Sequence, residues 1–362
     1  MDKMFKRTLL GAAIATAAMS GSANAAIELA GKAVQFYGQA AGSWIIADNN
    51  DANSAGADIE SRIGFRGVVE FDDFAPNFIW QMEGGNANNG DKTGGLGARD
   101  TYLGFDFEGF GSIKYGRQLV AAYNYVDWPH SNPGLGNVFD WNNDIGVSYQ
   151  DRADSVLRYD SANWGGFGVQ ATVSGMGQDT DRMVASLAAN YSTDLFSIHA
   201  GYYDRGRYDS KEDEKDKYII DANGNVILNP DYVAGGATVV NYAHNYAIVG
   251  GSLFLGDVTL AAAYKSMNTD TATGDDSQQA YSATAQYILN GKWVFKAGYA
   301  ATTKSDVEKA KGNDDSDVAI TGRLGYILPS AFLYMDVRDY DMDGSDSSKD
   351  NTRLLLGAEY YF

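Results

Sequence analysis

Two pairs of arginines carry the first chemical signal. Arg62 and Arg66 lie in the run DIESRIGFRGVVEF (58 to 71), and Arg152 and Arg158 lie in DRADSVLRYDS (151 to 161). Successive side chains of a strand point to opposite faces, so an even spacing puts both members of each pair on one face. In the first run the other face holds Ile59, Ile63, Phe65, Val69 and Phe71. Such a strand fits between lipid and water, with the arginines turned to the water. Arginine stays charged even when crowded. A row of them beside a solute path would fix positive charge there and select among ions and dipolar solutes. The plainer alternative is that they pair with nearby carboxylates and fill space.

Between KYGRQ (114 to 118) and DRADSVLRYDS lies a stretch rich in Tyr, Trp, Asn, Asp and Gly, residues 119–152. It is too long for a turn and too polar and glycine-broken for a helix. Trp128 and Trp141 within it admit two roles. Their rings can stack on sugar faces along a path, or they can pack the loop against a wall.

Other chemistry finds little support. His130, His199 and His244 are scattered, with no HExxH spacing, and no nucleophile motif accompanies them. The chain has no cysteine, which excludes disulfides, zinc-thiolate sites and thiol nucleophiles. Asp341, Asp343 and Asp346 in DMDGSD have part of a calcium-loop look but lack its order and its distal Glu, so they read as a solvated loop. Gly165, Gly166 and Gly168 join two strands and read as turn glycines. The sequence therefore predicts no enzyme, no metal and no cofactor. A net charge of −19 speaks against nucleic acid as a partner.

The elements that must position these residues follow from the rest of the chain. MDKMFKR, the apolar TLLGAAIATAAMS and Ala23-Asn24-Ala25 form a secretory signal over residues 1–25, leaving 26–362 as the exported chain. Mean hydropathy is −0.31, and no stretch approaches the roughly 20 apolar residues that a membrane helix needs. The remaining way to cross a bilayer is a closed β-barrel. Alternation recurs along the chain, as in AVQFYGQAAGSWII (33 to 46) and KWVFKAGYAATTK (292 to 304). Counting such runs predicts an all-β, 16-stranded antiparallel transmembrane barrel, with short turns alternating with longer loops. The expected long links include 206–237 and NTDTATGDDS (268 to 277), and TVVNYAHNYAIVGGSLFL (238 to 255) reads as one strand. Residues 119–152 are expected to fold into the lumen as a constriction loop.

Across 26–362 the motifs FYGQAAG, SRIGFRG, GSIKYGRQ, DRADSVLRYDS and the final Tyr361-Phe362, in that order, resemble the general trimeric porins of Gram-negative outer membranes. The resemblance implies a water-filled channel for passive diffusion of ions and small hydrophilic solutes. It also implies a homotrimer in contact with outer-membrane lipid and lipopolysaccharide, and recognition of Phe362 by the barrel-assembly machinery. Matched motif to motif, the basic wall of the constriction corresponds to Arg62, Arg99 and Arg152, with Arg66 and Arg158 beside them. The family's lysine in the first strand is Gln39 here. Its loop motif PEFGG appears as Pro133-Gly134-Leu135-Gly136-Asn137, so a glycine replaces the acid, and His130 stands where a second acid is expected. Negative charge on the loop would then rest on Asp127, Asp140 or Asp144.

Two alternatives stay open: an oligosaccharide-selective porin, suggested by Trp128 and Trp141, and a surface interaction or adhesion barrel using its acidic loops. Acidic outer loops should concentrate cations at the mouth, which predicts mild cation selectivity at low salt.

Overall fold

A computed structural model describes residues 26–49, 52–85, 95–126, 133–140, 145–176, 180–212, 215–220, 225–230, 236, 238–344 and 346–362. Residues 1–25, read from the sequence as a secretory signal, and Asp127, Trp128, His130, Trp141 and Asp144 lie outside the described residues.

Sixteen barrel strands follow the chain: β1 Gln35–Asn49; β2 in two segments, Ala52–Ile59 and Arg62–Phe71; β3 Phe74–Gly85; β4 Thr101–Phe107; β5 Gly111–Leu119; β6 Arg152–Ser161; β7 Phe167–Ser174; β8 Val184–Ser192; β9 Phe196–Arg205; β10 His244–Leu255; β11 Val258–Thr271; β12 Gly274–Leu289; β13 Trp293–Thr302; β14 Val318–Leu328; β15 Ala331–Asp341; β16 Asn351–Tyr361. Each pairs antiparallel with the next, and β16 returns to β1. The ring therefore has no free edge, the condition for a sheet to lie in hydrocarbon.

The two segments of β2 keep one register against β1, with Gln39 opposite Arg62 and Gly42 opposite Ile59. At the break the Ser61 hydroxyl accepts from the Ala41 N–H (3.1 Å) and donates to the Ala41 carbonyl (3.3 Å), which also accepts from the Glu60 N–H (2.9 Å). Closure is completed by Phe362, whose N–H donates to the Gly38 carbonyl (3.0 Å) while the Gly38 N–H donates back (2.7 Å). Its ring lies over Gly38, where a Cβ would come within 2.5 Å of Cζ. Glycine is needed there for that close approach.

The period-2 pattern of the sequence becomes two faces. Along β12 the inward Gln278, Ser282 and Thr284 are buried, whereas the outward Tyr281 and Tyr287 are 44% and 41% exposed. Outward aromatic rings gather at the short-turn end, as in Phe107 with Phe110 (6.3 Å) and Trp293 with Tyr326 (4.7 Å). This is the girdle expected where a barrel meets the membrane surface.

Three connections differ from the sequence reading. Residues 268–271 pair with 274–277, so the expected loop there is a tight-turned hairpin that lengthens β11 and β12. Its Thr, Asp and Ser residues resemble loop composition, but ladder pairing decides. The first outer link is likewise a hairpin, because 42–49 pair with 52–59. The expected strand 238–255 is two: Thr238–Asn241 pairs with Tyr208–Lys211 in a separate hairpin, and β10 begins at His244. The link after β13 carries the helix α1, Asp306–Lys311, capped by Ser305 and ended by Gly312 at φ 86°. Beside it, hydrogen bonds from Lys304 and Ser316 hold the Asp314 carboxyl below its ordinary range. The acids of DMDGSD are used internally: Asp346 caps Ser348, Asp343 pairs with Lys349, and the Asp343 N–H donates to Asp317.

The apolar core lies inside the barrel, not between sheets. Val120, Ala122, Val126, Leu135, Val138 and Phe139 of the infolded loop pack on inward wall residues such as Tyr203, Ile248, Met267, Ala300 and Tyr340. This is why the wall from β9 to β15 departs from a wholly polar lumen face.

Candidate functional site

The loop between β5 and β6 crosses the lumen and is tied to the wall strand by strand. The Ala121 and Ala122 N–H groups donate to the hydroxyls of Thr172 on β7 (3.0 Å) and Ser186 on β8 (2.9 Å). Next comes a helical turn, Tyr123–Val126. There the Tyr125 hydroxyl donates to Asn190 (2.8 Å) and its ring stacks on His199 (4.8 Å). On β11 the buried Lys265 donates to the Asp140 main-chain carbonyl (3.0 Å), 5.4 Å from the Phe139 ring centroid. Leu135 enters a socket at Gly298 on β13, where a Cβ would sit 2.7 Å from its Cδ1. The tip ends on β15, where the Tyr340 hydroxyl donates to the Gly134 carbonyl (2.8 Å). The loop thus covers the wall from β7 to β15. Among the described residues, those anchors leave out the arc from β16 through β1 to β6.

That arc carries the arginines singled out from the sequence. Arg99 Nε donates to Glu83 Oε1 (2.6 Å), and the Tyr37 hydroxyl to Glu83 Oε2 (2.8 Å). Arg152 Nε donates to Asp100 (2.6 Å). Arg158 donates to Asp160 (2.9 Å) and, through Nη1, to the Leu119 carbonyl at the root of the loop (3.2 Å). Lys114 pairs with the same Asp160. Arg62 and Arg66 stand opposite Gln39 and Gln35 of β1, and Arg66 Cζ lies 4.8 Å from the Tyr37 ring centroid. Arg99, Arg152 and Arg158 thus each pair with a carboxylate, and Arg62 and Arg66 stand on the same wall. Lys114, Glu83, Asp100 and Asp160 were not singled out from sequence. Asp160 lies two residues from Arg158, and Glu83 alternates with Trp80 and Met82, so face parity could have found both.

On the loop, Asp140 is the one of the three expected acids that lies among the described residues. Asp140 is 8% exposed; its carboxylate accepts from Tyr123 (3.0 Å) and its carbonyl from Lys265. Its charge seats the loop. Gly134 replaces the expected acid for a steric reason. It has φ 75°, where L side chains are strained, and a Cβ would lie 2.4 Å from Arg338 Cδ and 2.8 Å from the Tyr340 hydroxyl.

A second group of charges on β13 to β16 was not anticipated. Arg323 binds Asp336 through both Nε (2.6 Å) and Nη2 (2.8 Å), and Arg338 Nη2 binds the same carboxylate (2.7 Å). Lys296 stands opposite Arg323, and Arg353 opposite Arg338.

A closed barrel with an anchored lumen loop and charged walls is the geometry of a selective aqueous path. The sequence pattern of the Gram-negative porins matches residues 12–345. The chain belongs to the Gram-negative porin family. A chitoporin of Vibrio furnissii is 34% identical over 381 residues, covering 100% of both chains. The outer membrane porin protein OmpD of Citrobacter koseri is 24% identical, covering 99% of this chain and 100% of its own. Among solved structures, the anion-selective porin from Comamonas acidovorans superposes with a TM-score of 0.69 at 15% identity, covering 91% of this chain and 99% of that one. A loop-deletion mutant of Vibrio cholerae OmpT superposes with a TM-score of 0.66 at 19% identity, with the same shares covered. The porin resides in the bacterial outer membrane and forms a water-filled channel for passive diffusion of ions and small hydrophilic solutes. Its relatives are channels, not enzymes.

Proposed function

We propose that conduction is governed where the infolded loop faces the basic arc, with Arg62, Arg66, Arg99, Arg152 and Arg158 setting the charge met by a solute. The carrying observation is that the loop is anchored to β7–β15, while cations occupy the arc it leaves open. Asp127 and Asp144 stay candidates for loop charge. With Gly134 in place of the expected acid and the Asp140 carboxylate bonded to Tyr123, the narrow zone favours anions. Outer-loop acids act oppositely at the mouth, but beyond about 8 Å they are screened at physiological salt, and beyond about 3 Å at 1 M. The cation preference expected from the sequence is thus confined to low salt. In planar bilayers the folded protein gives stepwise, ohmic conductance; folded protein that inserts and stays silent would refute a diffusion channel.

A homotrimer fits an apolar outer groove on β1, β2 and β13–β16, where Ala40, Gly42 and Ala57 lie between Trp44, Trp293 and Leu356. In the same reading the outer aromatic belt meets lipid and lipopolysaccharide, and Phe362 serves as the assembly signal. The second reading, oligosaccharide selectivity, is favoured by the relative named a chitoporin. It predicts that chitooligosaccharides interrupt the current and that Trp128→Ala or Trp141→Ala abolishes the interruptions. Unaltered current in their presence would remove it.

A further inference from the structure

A polar cavity of about 180 Å³ lies at the short-turn end of β6, β7 and β8, beside the link 162–166. Its wall carries three carboxamides, those of Asn163, Gln170 and Asn190. In each of them the oxygen is spent on the protein. The Gly166 N–H donates to Asn163 Oδ1 (2.6 Å), Asn124 Nδ2 to Gln170 Oε1 (3.0 Å), and the Tyr125 hydroxyl to Asn190 Oδ1 (2.8 Å). Among the described residues, none of the three NH2 groups has a protein acceptor.

Two of those oxygen bonds come from the infolded loop, so the loop fixes which way the Gln170 and Asn190 carboxamides are turned. Space between them comes from Gly168, which stands opposite Asn190 in the ladder; a Cβ there would lie 2.9 Å from Asn190 Oδ1. The charged residue of the wall is Asp160, opposite Gln170, and it is already bound by Arg158 and Lys114.

This wall selects by hydrogen-bond chemistry and not by surplus charge. An amide NH2 donates and cannot accept, so an occupant must bring oxygens, and a cation gains nothing from it. A carboxylate on the same wall opposes an anion. What fits is a neutral group with oxygens that accept from the amides, such as the hydroxyls of a sugar. At roughly 30 Å³ of liquid volume per water, the cavity takes about six waters, roughly the room of a single sugar ring.

We propose that Asn163, Gln170 and Asn190 form a subsite for one ring of a neutral, hydroxyl-rich solute, on the short-turn side of the lumen loop. In outer-membrane barrels the short turns face the periplasm, so the subsite lies where an entering solute leaves the narrow zone. The proposal rests on the channel reading above and adds to it a station at the exit, built without Trp128 or Trp141. Each amide bond to the solute replaces one to water and is weak in net terms. A station of this kind therefore holds a solute briefly and lets it leave. The plain alternative is that the amides only hold the loop through their oxygens.

The test is interruption of single-channel current by maltotriose and by N-acetylated chitotriose, both neutral, each added on both sides of the bilayer. At least one of them should interrupt the wild-type current. Gln170→Met and Asn190→Leu remove NH2 groups and should each shorten the interruptions about fivefold, the double variant more. Tyr125→Phe deletes the loop's bond to the Asn190 oxygen and keeps the NH2 group, so its interruptions should last as long as in the wild type. Wild-type channels that neither sugar interrupts would overturn the proposal. So would interruptions of unchanged duration in the double variant, or interruptions shortened by Tyr125→Phe as much as by Asn190→Leu, because the amides would then act only through the loop. A chain that folds and conducts nothing would instead refute the channel reading itself.

Discussion

Phe139→Ala and Leu135→Ala should release the lumen loop while leaving the barrel closed. Both side chains are fully buried among wall residues, and Leu135 fills the socket that Gly298 opens. Removing a buried leucine or phenylalanine costs about 2–5 kcal/mol through lost transfer energy and the cavity left behind. Here most of that loss falls on the docking of the loop, because the strands are held by their own ladder. Single-channel conductance should rise and the open current become noisy, more so in the double variant. The gel-mobility transition that marks heat unfolding of the barrel should move little. Unchanged conductance and noise in the double variant would mean that the loop does not narrow the path.

Gly134→Glu should shift selectivity towards cations and weaken loop seating together. A non-glycine residue at φ 75° costs about 1–2 kcal/mol. The new Cβ would stand 2.4 Å from Arg338 Cδ, so the Arg338 side chain must move. The added carboxylate would then offset part of the positive charge of Arg338 and Arg353. Reversal potentials should move towards the cationic sign, and the Tyr340 bond to the Gly134 carbonyl should weaken. Arg338→Ala in the same chain opens the crowded space and should restore loop seating, judged by current noise, while keeping the cationic shift. A Gly134→Glu channel with the selectivity of the wild type would show that the loop tip does not face the ion path.

Most of the barrel was legible in the sequence because a membrane strand must alternate. Arg62 and Arg66 could be assigned to one face from spacing alone, and β2 presents them to the same lumen. Loop composition misled at 268–277, where Asn, Thr, Asp and Gly form a paired hairpin. Such residues are poor strand formers alone, and cross-strand partners override that preference. The break at Tyr242-Ala243 was invisible for the converse reason: the residues on both sides are strand-like, and only pairing separates Thr238–Asn241 from His244–Leu255.

The site was legible on one side only. Arg99 and Arg152 came from motifs around them and Arg158 from its spacing to Arg152, while Lys296, Arg323, Arg338 and Arg353 lie on four successive strands and are brought together by cross-strand register. No spacing within one strand signals that meeting. Gly134 was visible as a departure, but its cause, the Arg338 side chain, is 204 residues further along the chain. Asp140 was selected by charge, and its partners Tyr123 and Lys265 lie too far along the chain for spacing to reveal.

The central claim is that fixed cations on the open arc outweigh acid at the narrow zone. The reversal potential across a potassium chloride gradient at high salt, with outer-loop charge screened, tests it most directly. It should carry the anionic sign, decline in magnitude with Arg62→Gln, and drift towards the cationic sign as salt is lowered. A cationic sign at high salt, unchanged by that substitution, would contradict the account.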